Sequence, residues 1–211
     1  MKAPKQRRAP AARPQEIIDA ALAQFVETGF AGTRLDDVAR RAGLSKAAIY
    51  LYFADKTALF EGVVQHAVAS NIGQVEAMLA GHRGPVAPLL PRILEFMASR
   101  IETTPMAAVA KLVISESRAF PEVGRFYLKE VIGRGLPLFE GLIRRGIEQG
   151  EFRNVDSSMT VRSMMGPMLL AIVWRTVFEP IGADKLDVRS LALHHADLML
   201  HALRPDTREG Q

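Results

Sequence analysis

The sequence predicts an all-α fold, with a small basic N-terminal helical unit and a larger neutral helical body. Apolar residues recur at helical spacing along most of the 211-residue chain. Glycine and proline fall between these periodic stretches, at Gly29, Gly43, Gly81, Gly84-Pro85, Pro105, Pro121, Gly150 and Pro180. Strand-like alternation of useful length is missing, and no internal repeat is visible.

Taken in order, residues 1–13 carry five basic groups, no acidic ones, and Pro4 and Pro10. Such a segment buries too little apolar surface to order itself and reads as a disordered basic arm. Pro14 suits a first helical turn. Ile17, Ile18, Ala21, Leu22, Phe25 and Val26 follow at helical spacing until Gly29. Thr33 with Asp36 three residues on resembles a capping box, and Leu35, Val38, Ala39 and Ala42 form the inner face of a second helix. Ser45 caps a third, with Leu44, Ile49 and Phe53 spaced to face inward. Asp55 caps a longer fourth helix, in which Leu59, Val63, Ala67, Val75, Met78 and Leu79 face inward. Further helices are predicted near 86–103, 106–118, 122–150, 156–179 and 185–204. The domain reading is an arm at 1–13, a three-helix helix-turn-helix domain at 14–60, and a helical body at 61–211.

The net charge is +4, and its placement matters more than its size. Residues 1–56 hold 10 Lys/Arg against 6 Asp/Glu, so the remaining 17 of 27 basic groups face 17 of 23 acidic ones. A polyanion is drawn to the N-terminal quarter, although a solubilising tail accounts for the excess equally well. Cysteine is absent, which rules out disulfides and thiolate sites and fits a reducing cytoplasm. No secretory signal pattern is present. The longest apolar run, 164–174, is shorter than the roughly 20 residues of a membrane span, so no membrane contact is expected.

Residues 33–59 carry the most functional information. Two short helices joined by a tight turn suit a major groove. In the third helix, Lys46, Ala47, Tyr50 and Leu51 lie outward: short or flat residues around one lysine, compatible with close approach to base edges. Tyr50 and Tyr52 offer hydroxyls to phosphates. Thr33, Ser45 and Lys56 stand at helix starts, where hydroxyls, an ammonium and free backbone N–H groups anchor phosphate.

The order Thr33, Val38-Ala39, Ala42-Gly43-Leu44-Ser45, Tyr50-x-Tyr52-Phe53, Lys56 and Leu59 resembles the signature of the TetR family of transcriptional regulators. The resemblance implies a homodimeric repressor whose third helix enters double-stranded operator DNA. By position, the DNA-facing residues are Thr33, Ser45, Lys46, Ala47, Tyr50, Tyr52 and Lys56, with Arg34 and the basic arm as additional contacts. Two positions depart from the common pattern. Many members carry glycine where Ala47 stands and a polar or aromatic residue where Leu51 stands, so Leu51 offers only an apolar contact.

In the body, Val161, Met165, Met168, Leu169, Ile172 and Thr176 form one stripe, and Val188, Leu191, His195, Leu198 and Ala202 another. Composition leaves open whether these are internal core or a subunit interface; the resemblance implies a four-helix dimer interface. The middle helices are rich in methionine and phenylalanine. Spacing alone reads this as core, while the resemblance implies a helical ligand-binding and dimerisation domain holding a small apolar or amphipathic effector. Its expected lining is Met97, Ile101, Met106, Val109, Val113, Phe120, Phe139, Ile143, Met168 and Trp174.

Enzymatic chemistry is not expected. His194, Asp197 and His201 can share one helix face, but they lack the pattern of a metal site, and no phosphate-binding loop stands between a strand and a helix. No catalytic residue, metal or cofactor is assigned. A helical protein-interaction module is the main rival; it explains the apolar stripes but not the tyrosines and lysines gathered beside capped helix starts.

Overall fold

A computed structural model describes residues 13–205 of the chain, and every regular element among them is helical. The predicted arm lies outside these residues apart from the backbone of Arg13. The elements are α1 Arg13–Gly32, α2 Leu35–Ala42, α3 Lys46–Tyr50, α4 Lys56–Val64, α5 Ser70–Ala80, α6 Leu89–Thr103, α7 Met106–Glu116, α8 Pro121–Tyr127, α9 Gly133–Glu148, α10 Ser157–Val173 and α11 Val188–Leu203. Wider π-helical turns follow α4 (Gln65–Ala69), α8 (Leu128–Ile132) and α10 (Trp174–Phe178). Sequence periodicity does not reveal these turns. Each adds a residue to one helical turn and so rotates the following face by about 100° from α-helical register.

The chain divides into two compact units. The first comprises residues up to His66 together with Leu112–Phe126, and the second comprises Ala67–Lys111 and Tyr127 onward. The sequence reading drew its boundary at 60 and placed Leu112–Phe126 in the body. That stretch contributes Phe120, whose ring meets Phe30 edge-on at 4.9 Å, so burial of aromatic surface ties it to the first unit.

Within the first unit, Ile17, Ala21, Phe25, Val38, Ile49, Leu59, Phe60 and Val63 form the core. Phe25 stacks on Phe30, and Phe60 stands edge-on to both. At Gly29 the backbone takes φ 73 and kinks α1. That positive φ is what requires glycine there; a Cβ would also meet Glu116 Oε1 at 2.6 Å, but that carboxylate end can swing away. α2 ends on Gly43 in the left-handed region. Phe53 sits against Gly62 of α4, where a Cβ would come within 2.9 Å of its ring.

The second unit is built on a contiguous core from α6, α9, α10 and α11, including Leu90, Ile93, Leu94, Ile101, Phe139, Ile143, Val161, Met164, Met168 and Ala192. Its loops are tied by side chains to backbone. Glu151 accepts hydrogen bonds from the N–H groups of Val86 and Ala87, and Arg145 donates to the carbonyls of His82 and Gly84. Asp156 and Asp187 cap α10 and α11. These bonds satisfy backbone groups that helix ends leave unpaired.

The faces of the last two helices differ from the stripes predicted for them. Val161, Met164, Met168 and Ala171 of α10, and Val188, Ala192, Ala196 and Leu203 of α11, are buried within the unit. Leu169, Leu170, Val177, Phe178, Leu193 and Leu198 are exposed. α10 is apolar around most of its circumference, so periodicity cannot select the inward face. The helical run Ser157–Ile181 covers 25 residues and is long and apolar enough to cross a membrane by length and composition. The apolar run read from the sequence, 164–174, is shorter because it stops at Arg175.

Candidate nucleic-acid interface

The candidate reading surface is α3 and its flanks. Ser45 is the N-cap, and its hydroxyl accepts from the Ala48 N–H at 3.2 Å. Leu51 keeps right-handed helical angles, so one helical surface runs from Lys46 through Leu51. Ile49 is fully buried and anchors the helix to the core. Tyr50 is 49% exposed, Leu51 78% and Tyr52, just past the helix end, 39%. Lys46 and Ala47 are exposed too. Their spacing puts Ala47, Tyr50 and Leu51 on one face, since residues three and four apart are neighbours on a helix. Five of the expected DNA-facing residues (Ser45, Lys46, Ala47, Tyr50 and Tyr52) are thus gathered on one short segment.

Other expected residues sit differently. Thr33 is 2% exposed, and its hydroxyl donates to the Gly29 carbonyl at 2.7 Å and lies 3.0 Å from the Thr28 hydroxyl. The N-cap of α2 is Arg34, with no side-chain cap, so the predicted Thr33–Asp36 capping box does not form. The kink at Gly29 leaves a carbonyl within reach of Thr33, and that bond takes its hydroxyl. Arg34 is exposed and forms no ion pair among the described residues.

Lys46 pairs with Asp36, Nζ to Oδ2 at 2.9 Å. That hydrogen bond, with the attraction of the carboxylate, holds the Lys46 pKa above the usual lysine value. Sequence reasoning gave Asp36 only a capping role and missed this pairing across the α2–α3 turn. Lys56 was expected to share a phosphate with the start of α4, which Asp55 caps through the Ala58 N–H. Its ammonium instead donates to the carbonyls of Phe30 at 2.7 Å and Ala31 at 3.3 Å, and lies 4.6 Å from the centroid of the Phe30 ring and 5.9 Å from that of Phe120. Burial lowers its pKa from the usual lysine value, against the opposing pull of Glu116. The physical cause is the break in α1, whose last carbonyls lack helical partners and attract a cation.

The residues expected to line an effector site divide between the units. Ile101, Phe139, Ile143 and Met168 lie in the core of the second, with Met97 and Met106 packed against it. Val109 is fully buried in the second unit. Val113 and Phe120 belong to the first unit. Trp174 lies in the turn after α10; its indole N–H donates to the Asp184 carbonyl at 2.9 Å, and its ring tilts against Phe178. The π-helical turn starting at Trp174 accounts for that placement. Within the second unit, sequence reasoning missed buried Asn71, which donates to the Ala67 carbonyl, touches the Met106 sulfur at 3.9 Å and accepts from Arg100 Nε at 2.8 Å. The described residues include no cluster of His, Asp or Glu suited to a metal.

Comparison with known proteins agrees with this architecture. The signature of bacterial regulatory proteins of the tetR family matches residues 17–63. The C-terminal domain of AefR-like transcriptional repressors matches residues 88–201. The HTH-type transcriptional regulator YfiR of Bacillus subtilis is 25% identical over 183 residues, covering 85% of this chain and 86% of that protein. RutR of Escherichia coli is 31% identical over 134 residues, covering 64% and 54%. Among solved structures, PfmR of Thermus thermophilus aligns with a TM-score of 0.69 at 26% identity, covering 88% of this chain and 97% of that one. FadR of Bacillus subtilis, solved with stearoyl-CoA, aligns at 0.69 and 19% identity over 90% and 99%, a likeness of fold alone. The family is one of regulators rather than enzymes, and its two matched domains together span both the helix-turn-helix and the helical body: this chain belongs to the TetR family of bacterial regulatory proteins.

Proposed function

We propose that the chain is a ligand-responsive transcriptional repressor that acts in the cytoplasm, binds a palindromic operator as a homodimer, and is released by a small apolar or amphipathic effector. The observation that carries this reading is the outward display of Ala47, Tyr50 and Leu51 opposite the buried anchor Ile49. A capped helix held that way presents its side chains to a groove at fixed depth. Ser45, Tyr50, Tyr52 and Arg34 supply phosphate contacts around it. Lys46 is held back from them by Asp36, and Thr33 and Lys56 act by shaping the head.

Homodimerisation is supported by the exposed apolar residues of α10 and α11, which a second copy covers about a two-fold axis. An effector site in the second unit is supported by Met97, Met106 and Met168 among the aromatic and aliphatic residues, since methionine adapts to varied apolar shapes. The Asn71–Arg100 pair supplies polar groups beside them, which favours an amphipathic ligand. A coupling of about 1–3 kcal/mol between effector and DNA changes operator affinity about 5- to 150-fold.

Titration of the full-length protein against the DNA upstream of its own reading frame, at two salt concentrations, tests the DNA-binding reading. Tight binding that falls steeply with salt is expected, and indifference to duplex DNA in dilute buffer refutes it. A thermal-shift screen of small molecules, followed by a DNA-release assay on the hits, tests the effector.

A further inference from the structure

Once Lys46 is paired, the reading face of α3 is mainly apolar. We infer that Ala47 and Leu51 select thymine by its 5-methyl group in the major groove, which deepens the DNA-binding reading above and rests on it. Leu51 is the most exposed large apolar residue of the first unit, at 78%, and follows Ala47 by one helical turn. The helical angles of Leu51 keep both side chains on the face opposite Ile49. Neither carries a hydrogen-bonding group, so neither distinguishes the polar edges of guanine, adenine or cytosine. The 5-methyl of thymine is the apolar feature in a major groove that such side chains contact favourably.

The basic side chain on this helix is diverted. Lys46 Nζ is held by Asp36 at 2.9 Å, which takes a point charge away from the guanine O6/N7 edge. Duplex DNA is the occupant because the patch is flanked by the exposed Tyr50 and Tyr52, whose hydroxyls bind phosphate, and the same unit exposes Arg34 at the start of α2. A protein partner would require a wider apolar area than two side chains on one short helix.

The experiment starts from duplexes enriched by the full-length protein from a random-sequence pool. Each enriched duplex is then copied with deoxyuridine in place of thymidine, which keeps base pairing and removes only the methyl groups. The expected result is weaker binding of the uracil form by about fourfold for each contacted methyl, the change that corresponds to burying one such group. Leu51→Ala should bind the thymine form less well and discriminate less between the two forms, while Leu51→Met should retain most of the discrimination. Leu51 is on the surface, so these variants fold, and a groove-shape effect of uracil persists in Leu51→Ala whereas a methyl contact does not. Equal binding of both forms by the unsubstituted protein, or unchanged discrimination in Leu51→Ala, overturns the inference and leaves DNA binding intact. Failure to enrich any duplex overturns the DNA-binding reading, and this inference falls with it.

Discussion

The tip of α3 and the outer face of α10 both hold leucine out to solvent, but in different company. Leu51 lies between Tyr50 and Tyr52, with Lys46 a turn and a half away and Arg34 at the N-cap of α2. Leu169 and Leu170 lie in twelve consecutive residues, 163–174, without a charge. A small apolar point with a polar rim suits a groove whose floor carries methyl groups and whose walls carry phosphates. A long face with no rim cannot satisfy a polyanion and suits a second surface like itself. Exposure alone therefore does not identify a partner; the charges around the exposed residue do.

The strongest way to break that comparison is to put charge on the long face. Leu169→Glu is expected to turn a dimer into a monomer by sedimentation and to weaken operator binding by at least about a hundredfold, because the link between two half-site contacts is lost. A variant that stays dimeric would show that another surface joins the subunits. On the tip, Tyr50→Ala should reduce discrimination between operator and unrelated DNA by about tenfold, within the range of one base contact. Equal loss on every sequence would leave Tyr50 with its phosphate contact alone and no base contact from its ring.

Two smaller effects separate the lysines. Lys56→Met keeps the alkyl chain and removes the ammonium from the Phe30 and Ala31 carbonyls. It should cost about 1–2 kcal/mol of stability in denaturant titration and weaken binding to all sequences together; unchanged stability would mean that these bonds hold nothing. Asp36→Asn releases Lys46 for phosphate. Both side chains of that pair are about half exposed, and water screens such pairs strongly. Binding to any duplex should rise a few-fold, and the salt dependence should steepen by about one charge per subunit. An unchanged slope would show that Lys46 already leaves Asp36 when DNA binds.

These lysines also mark the limit of what the sequence makes legible. Both occupy positions that a helix-turn-helix reading assigns to phosphate, and nothing in their spacing distinguishes them. Lys46 meets Asp36 across a turn, and Lys56 meets carbonyls 26 and 25 residues earlier in the chain, at Phe30 and Ala31, freed by the kink at Gly29. Thr33 fails as a cap for the same reason: the Gly29 carbonyl competes for its hydroxyl.

Local signals determined the helices. Ser45, Asp55, Gly29 and Gly43 act on backbone within a few residues, so their caps and stops were readable in order along the chain, and so was the all-α architecture. The order of motif residues from Thr33 to Leu59 points to the family on its own. Tertiary structure alone decided which face of α10 turns inward, that Leu112–Phe126 packs with the first unit, and that Trp174 reaches the Asp184 carbonyl. Those outcomes depend on contacts distant in sequence and on π-helical turns that shift helical register, and helical periodicity contains neither.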